Sequence, residues 1–146
     1  MDTLSKERRS ALMKRVRQAN TKPELEIRTG LHRRGLRYNI SDKRLPGSPD
    51  LSFPRYMVAV FVHGCFWHGH HCRQGRLPTS NVRYWSAKMQ ANRDRDARKE
   101  RSLRKLGWRV YTVWECQTKD PGRRERLLDQ LAAGIRGNSD SPFTAR

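Results

Sequence analysis

The chain has 146 residues, a length that fits one domain with a modest hydrophobic core. Lys and Arg number 32 against 14 acidic residues, and the resulting net charge of +18 favours a polyanionic partner over a membrane surface. The composition includes no long apolar run and an odd number of cysteines, so we expect neither a transmembrane helix nor a disulfide framework.

Two helices are predicted near the start of the chain. Residues 5–18 have a basic amphipathic pattern, with Met13 on the apolar side. Thr21-Lys-Pro-Glu24 has the sequence of a capping box, and the helix that follows ends at Gly35. The Glu24 carboxylate therefore has two interpretations, as a helix cap or as an acid held near a functional site.

Three strands follow these helices. Residues 36–40 alternate like a strand, and residues 50–53 form a second short strand after a loop rich in proline and glycine. Residues 56–62 are a near-continuous apolar run with many β-branched side chains, which is typical of a buried strand. Asp50 then lies at one end of a hairpin whose second strand leads into His63.

The second half of the chain predicts a long helix, a strand and a final helix. Asn81 can cap a helix over 82–106, whose charged middle at 92–101 favours a solvated face over a phosphate-tracking one. Residues 108–114 alternate like a strand, and residues 121–135 have the apolar spacing of a helix. The order predicts an α/β fold, a mixed sheet flanked by helices.

One segment, residues 62–72, combines four of the five histidines with two of the three cysteines. Thiolates and imidazoles at short spacing are ligands that Zn²⁺ prefers, and a Cys₃His set forms a closed structural site. The predicted ligands are Cys65, Cys72, Cys116 and either His70 or His71. We prefer His70, because His71 would crowd the same edge of the metal as Cys72. The alternative is that the three thiols are small buried apolar groups.

A basic chain with this segment is also a candidate phosphodiesterase. Hydrolysis of a phosphodiester requires neutralisation of the phosphate charge, commonly by Mg²⁺ held by oxygen ligands. Asp50 is the best candidate ligand, and a main-chain carbonyl near Val62 could join it. His68 is predicted as the general base, with His63 assisting at the phosphate or positioning the base. The alternative is that each histidine is a loop residue hydrogen-bonded to the backbone.

At these residues the chain resembles the very short patch repair (Vsr) DNA mismatch endonucleases. The match extends in order and spacing from about residue 8 to residue 136. The matching segments are Thr21–Glu24, Leu45–Asp50, Val60–Cys72, Tyr84-Trp85 and Leu106–Cys116. The resemblance implies a restriction-endonuclease-like fold, in a single domain over 1–136. The polar residues 137–146 are expected to form a flexible tail.

The resemblance also implies an activity. Members of this family make a Mg²⁺-dependent nick 5′ of the thymine in T·G mismatches, which arise when 5-methylcytosine deaminates. It implies Asp50 and the main-chain carbonyl of Val62 as Mg²⁺ ligands, His68 as general base, and His63 and Glu24 as supporting residues. The implied structural zinc ligands are Cys65, His70, Cys72 and Cys116. Since this chain has Val62 where Thr is familiar in the family, that position can offer only its carbonyl.

DNA contacts and partners follow from the same resemblance. Phe66, Trp67 and Trp85 are implied to wedge into the base stack beside the mismatch, and we group Met13 with them as a DNA-binding residue. The expected partner is double-stranded DNA with a T·G mismatch, bound by a monomer, with mismatch-repair proteins as further candidates. Because the first residues lack the apolar region of a signal peptide, we expect a cytoplasmic bacterial protein associated with the nucleoid.

Two other functions remain open from the sequence. One is a zinc-stabilised DNA-binding module without catalysis, which would need none of Asp50, His63 and His68. The other is a less selective restriction-type nuclease, which would have no use for an aromatic wedge because it cuts regular duplex.

Overall fold

The computed structural model describes residues 20–68, 70, 72, 76 and 78–137. The predicted helix over 5–18, Met13 within it and the tail beyond residue 137 lie outside these residues. The described elements are α1 (Lys22–Arg33), β1 (Asn39–Ile40), β2 (Leu51–Phe53), β3 (Val58–His63), α2 (Val82–Lys105), β4 (Arg109–Trp114), a 3₁₀ turn (Glu115–Thr118) and α3 (Pro121–Ile135).

The four strands form one sheet in the order β1-β2-β3-β4. The first three are antiparallel neighbours, whereas β3 and β4 run parallel, with Val62 opposite Val113 and His63 opposite Trp114. Parallel strands need a crossover connection, which α2 provides. Since β3 and β4 end at the same edge, the segments that follow them start side by side. The predicted mixed sheet flanked by helices is confirmed, and its restriction-endonuclease-like class stays a prediction.

Helices cover both faces of the sheet because β3 is apolar on both sides. Val58, Val60 and Val62 pack against α1 and α3, in a cluster that includes buried leucines of both helices. Ala59 and Phe61 belong to a second cluster with Leu103 of α2. Each fully buried side chain of this size contributes roughly 1.5–3 kcal/mol of transfer free energy. His63 shares the parity of Ala59 and Phe61, so its ring faces α2.

The capping box predicted at the start of α1 is confirmed, except that the Glu24 carboxylate accepts from a different N–H than predicted. The Thr21 side chain accepts the Glu24 N–H at 3.4 Å, and the Glu24 carboxylate accepts the N–H of Asn20 at 3.1 Å. The carboxylate therefore reaches one residue beyond the cap residue itself. Gly35, with φ of +87°, lies just past the end of the helix in the left-handed region that glycine tolerates.

Several predicted boundaries are wrong. The strand predicted over 36–40 is confined to the exposed pair Asn39–Ile40, and the buried strand predicted over 56–62 starts at Val58 and includes His63. Asn81 precedes α2 in a left-handed conformation and makes no capping hydrogen bond with its side chain. Among the described residues, no helix combines the length and apolar character needed to cross a bilayer.

Candidate active site and metal centre

The predicted site residues converge at the edge of the sheet where β3 and β4 end. The histidine-containing loop leaves β3 there, and the 3₁₀ turn with Cys116 follows β4 at the same place. Asp50 directly precedes β2, and α1 and α2 contribute one acidic residue each, Glu24 and Asp96. The loop therefore lies between carboxylates from three separate elements and a thiol from a fourth.

The Asp50 carboxylate lies against the end of β3. Its Oδ2 accepts the main-chain N–H of Val62 at 2.6 Å. Because the N–H and C=O of one strand residue point to the same side, the Val62 carbonyl faces the edge that Asp50 occupies. Burial raises the pKa of Asp50 to about 7, and the nearby Glu24 charge adds to the increase. A buried carboxylate beside a backbone carbonyl is an oxygen donor set that could hold Mg²⁺.

Glu24 is both a helix cap and an acid of this site, so the two interpretations of the sequence are compatible. Its side chain is 3% exposed. Its Oε2 pairs with the Arg28 guanidinium at 2.9 Å, and Arg28 also donates to the Asn20 side chain at 2.6 Å. The ion pair compensates for burying the carboxylate, which would otherwise be costly.

His63 and His68 form a stacked pair at the end of β3. Their ring centroids are 3.9 Å apart and the planes are within 5° of parallel. His68 Nδ1 lies 2.5 Å from Asp96 Oδ2, and His63 Nδ1 lies 3.9 Å from the same oxygen. Burial raises the pKa of Asp96, but the hydrogen bond from His68 and the neighbouring positive charges outweigh it and leave the pKa below its usual value. Asp96 is therefore a carboxylate at neutral pH.

The Asp96 contact determines which nitrogen of His68 is available for chemistry. A carboxylate on Nδ1 requires the proton there, which leaves the Nε2 lone pair free to accept a proton. Burial lowers the pKa of His63 to about 3, so that ring is neutral, and its buried Nδ1 has no hydrogen-bond partner among the described residues. Imidazole lone pairs lie in the ring plane, and parallel stacked rings cannot direct two of them at one ion. This trio suits proton transfer better than metal binding.

The cysteines and His70 form a separate cluster. The ligand atoms of the four predicted residues lie within 4.8 Å of one another. Tetrahedral zinc with Zn–S bonds of about 2.3 Å places its ligand atoms about 3.8 Å apart, so the donor set and spacing fit Zn²⁺. The four residues are Cys65, His70, Cys72 and Cys116. His71, the alternative ligand, lies outside the described residues.

Local contacts support this cluster. The Cys116 N–H donates to Cys65 Sγ at 3.4 Å, and the His70 ring stacks on Trp114 with centroids 4.1 Å apart. Burial raises the pKa of the Cys65 thiol to about 12 and that of Cys116 above its usual value. Buried thiols ionise readily only when a cation compensates the charge, so binding of zinc would release protons.

Three aromatic rings pack beside the histidines. Phe66 contacts Trp67 and Trp85 with centroids at 5.1 and 5.3 Å, and the two indoles are 6.2 Å apart. Phe66 and Trp67 are half-buried, whereas Trp85 is 8% exposed and supports the other two from α2. The Asn92 side chain donates to the Trp67 carbonyl at 2.6 Å. The first turns of α2 thus hold the loop and its rings in place.

Comparison with known proteins identifies the family. Residues 1–74 match the family described as DNA mismatch endonuclease Vsr. The chain is 53% identical to the Type II nicking enzyme V.XorIIP of Xanthomonas oryzae over 130 residues, which cover 89% of this chain and 96% of that protein. It is 37% identical to the DNA mismatch endonuclease Vsr of Escherichia coli over 129 residues, covering 88% and 81%. The chain belongs to the Vsr family. It is a DNA endonuclease.

This Vsr-family structure brings together nearly all residues that the sequence singled out. Asp50, Val62, His63 and His68 lie near Glu24, and the four predicted zinc ligands form a separate cluster. Phe66, Trp67 and Trp85 form one cluster. Met13 lies outside the described residues, so its predicted DNA contact stays a prediction.

Sequence reasoning did not identify Asp96. The run 92–101 was predicted as a solvated face, which is correct for Arg93–Arg95 but wrong for Asn92 and Asp96. The helical period could have identified Asp96 as an inward-facing residue, since the inward positions of α2 are spaced three or four residues apart. They are Trp85, Met89, Asn92, Asp96, Lys99 and Leu103. An acidic residue in line with buried apolar ones on a helix that follows a histidine loop is a candidate partner for those histidines.

Proposed function

We propose that this endonuclease nicks one strand of duplex DNA 5′ of the thymine in a T·G mismatch, in a reaction that depends on Mg²⁺. The observation that carries the proposal is the His68–Asp96 contact of 2.5 Å beside the Asp50 carboxylate. A protein that only bound DNA would need neither group. The names of relatives such as the Type II nicking enzyme V.XorIIP support single-strand cleavage.

In the proposed reaction His68 takes the proton of the attacking water at Nε2. Asp96 holds the Nδ1 proton and stabilises the imidazolium that forms, as the carboxylate does in other acid–histidine pairs. His63, neutral because of burial, stacks on His68 and restricts the orientation of its ring. Ring orientation matters because general-base catalysis requires a lone pair within hydrogen-bond reach of the water.

Asp50 and the Val62 carbonyl are the proposed ligands of Mg²⁺, which when bound would neutralise charge on the phosphate and acidify the attacking water. Burial and the Glu24 charge both disfavour ionisation of Asp50 in the absence of a cation. The carboxylate therefore gains more from a divalent cation than an exposed one would. Glu24, held by Arg28, adds negative potential at the position where the cation is proposed to bind.

We further propose that Cys65, His70, Cys72 and Cys116 bind a structural Zn²⁺. All four positions of a tetrahedral ion would be filled by protein atoms, so this ion would supply no open position for water. It would tie the loop after β3 to the 3₁₀ turn after β4. The described residues of this loop form turns and bends, with no helix or strand among them to hold His68 in position.

Mismatch selectivity is proposed to come from the aromatic cluster. Phe66 and Trp67 are half-buried and supported by Trp85, which makes them the rings best placed to enter a base stack. Unstacking a base step costs a few kcal/mol, and less where the bases are mismatched. A wedge therefore selects mismatched duplex, while the net charge of +18 supplies affinity for any duplex.

The proposal is tested by a nicking assay on four labelled duplexes that carry T·G, T·A, C·G or A·C at one position, with Mg²⁺ or with EDTA. We expect a cut in one strand, 5′ of the T, in the T·G duplex and only with Mg²⁺. Equal cutting of all four duplexes would instead support the less selective nuclease. Binding without cutting under any divalent metal would support the DNA-binding module.

A further inference from the structure

Lys99 is a lysine on the inward-facing side of α2, and the reaction proposed above gives it no role. It follows Asp96 by three residues, so the two side chains project from the same face of the helix, toward the catalytic edge of the sheet. Lys99 is half-buried, whereas Arg98 and Arg101 beside it are exposed. A lysine in such a position can bury its aliphatic stem while its ammonium group stays accessible to a charged ligand.

The aliphatic part of Lys99 packs against the loop that leads into Asp50. A Cβ on Gly47 would lie 2.5 Å from Lys99 Cγ and 2.8 Å from its Cβ and Cδ, which means that the glycine makes room for the lysine. Gly47 also has φ of +76°, a conformation that other residues rarely adopt. The loop and the lysine stem therefore fix one another, and Lys99 emerges beside the residues that follow Gly47.

The charge of Lys99 acts on the active site itself. It partly opposes the rise that burial causes in the pKa of Asp50, and it adds to the lowering of the pKa values of His63 and Asp96. Among the residues that the structure describes, no carboxylate lies at salt-bridge distance from its ammonium group. The lysine is thus near the carboxylates of the site without being neutralised by one of them.

We propose that Lys99 binds a non-bridging oxygen of the scissile phosphate. The inference rests on the proposed nicking function and extends it. Three carboxylates, those of Glu24, Asp50 and Asp96, lie at the edge of the sheet where β3 ends, and their charge would repel a phosphate unless a cation offset it. A fixed ammonium group attracts the phosphate and stabilises the additional charge that develops on it during hydrolysis.

The first test compares single-turnover nicking and DNA affinity of Lys99→Met and Lys99→Arg. Methionine keeps an unbranched stem against Gly47 and removes the charge. We expect Lys99→Met to lower the nicking rate by about 10²-fold, because one preorganised charge contact with the reacting group is lost. Lys99→Arg retains a cation and is expected to recover to within about tenfold of the natural protein.

Lys105→Met is the matched control, because Lys105 is an exposed lysine in the last turn of the same helix, away from the catalytic edge. It removes the same charge and is expected to change the nicking rate by less than about threefold. Equal rates for Lys99→Met and Lys105→Met would overturn the proposal.

The second test asks whether the phosphate is the partner. Duplexes with a neutral methylphosphonate in place of the phosphate 5′ of the mismatched T are bound in EDTA, where no cleavage is expected. The natural protein should lose about tenfold in affinity, and Lys99→Met should lose little further, as a double-mutant cycle for a direct contact requires.

Equal losses for both proteins would overturn the assignment. So would a Lys99→Met defect that disappears at high Mg²⁺, since that would mean the lysine acts through Asp50. If the natural protein cut no duplex, the nicking function would fail, whereas this binding cycle would still report on Lys99.

Discussion

Two clusters share the loop between β3 and α2, and they are built in opposite ways. The zinc-type cluster draws Cys65, His70 and Cys72 from a short stretch of the loop and needs one distant residue, Cys116. The catalytic cluster takes two histidines from β3 and the loop but its acids from elements that are far apart in sequence. The zinc-type cluster therefore consists mainly of residues that are close in sequence, whereas the catalytic cluster combines residues from separate elements.

The difference predicts different consequences of substitution. In the zinc-type cluster the donor atoms lie close together and burial raises the pKa values of Cys65 and Cys116, and the role that we propose for it is to hold the loop. Among the described residues, Asp50 Oδ2 and His68 Nδ1 each take part in one hydrogen bond, and the second oxygen or nitrogen of each side chain is the one proposed to meet metal or water. Changes in the first cluster should affect stability, and changes in the second should affect rate.

The largest effect is expected for Asp50→Asn. The amide keeps the size of the carboxylate but removes the charge that would hold Mg²⁺, so single-turnover nicking should fall by on the order of 10⁴-fold or more. DNA binding should be retained within about threefold, because +18 net charge supplies the affinity. A filter-binding or fluorescence-anisotropy titration beside the nicking assay checks both. Loss of binding in step with activity would contradict the assignment.

Asp96→Asn should be the next most severe. An asparagine can present its amide group to Nδ1 and favour the wrong tautomer of His68, so we expect nicking to fall by about 10²–10⁴-fold. Asp94→Asn is the control, because Asp94 is exposed on the same helix and accepts a hydrogen bond from Gln90. If both variants nick equally well, Asp96 does not orient the base.

Cys116→Ser tests the zinc-type cluster, where we expect an effect on stability. Loss of one thiolate should release zinc and lower the melting temperature by about 10 °C, because binding free energy at a structural site is folding free energy. Calorimetric melting with metal analysis measures both. Asp50→Asn serves as the reference that should keep its zinc. A Cys116→Ser protein with unchanged melting temperature and zinc content would contradict a structural role.

The pH dependence sharpens the role of Asp50. Below about 7 the carboxyl group holds its proton, so at limiting Mg²⁺ nicking should rise about tenfold per pH unit up to that point and then level off. Higher Mg²⁺ should move this limb to lower pH, since the cation and the proton compete. At limiting Mg²⁺, a rate that is independent of pH between about 5 and about 8 would contradict the assignment.

The raised pKa of Asp50 also makes the stability of the fold depend on pH, in the opposite direction from most acidic residues. Because the pKa of Asp50 is raised on folding, the folded state retains a proton that the unfolded chain releases. Without metal, stability should therefore decrease as the pH rises from about 4 to about 7, by on the order of a few kcal/mol. Asp50→Asn should remove that decrease, which denaturant unfolding at several pH values measures.

The smallest effect is expected for Val62→Thr. If the main-chain carbonyl is the ligand, a hydroxyl on the side chain adds nothing to the donor set, and nicking should change by less than about threefold. Val62 packs in the core on the face toward α1 and α3, so a modest loss of stability is expected from the buried hydroxyl. A rate increase of about tenfold or more would show that the side-chain hydroxyl takes part in the reaction.

Much of this arrangement could be predicted because it is local. The apolar run in β3 and the spacing of Cys65, His70 and Cys72 are short-range patterns, and Gly35 lies just past the end of α1 as expected. The Cys116 thiol could be predicted because β4 ends beside β3.

Asp96 could not be recognised in the same way, since its neighbours in sequence are exposed charges and its partner is 28 residues away. Its role depends on how α2 is rotated against the sheet. Leu103 and Met89 determine that rotation by burying one side of the helix, and the charge pattern around Asp96 does not reveal it. In the sequence Lys99 is one of many cations, whereas in the structure its partial burial and its contact with Gly47 distinguish it.

The most direct test of the two-cluster account is to measure metal content and nicking of one preparation before and after brief treatment with EDTA. We predict about one zinc per chain throughout, because three cysteines and a histidine would fill every position of the ion and resist the chelator, with nicking lost and then restored by Mg²⁺ alone. Active protein without zinc, or activity that returns only when zinc is added, would contradict the separation of a structural from a catalytic cluster.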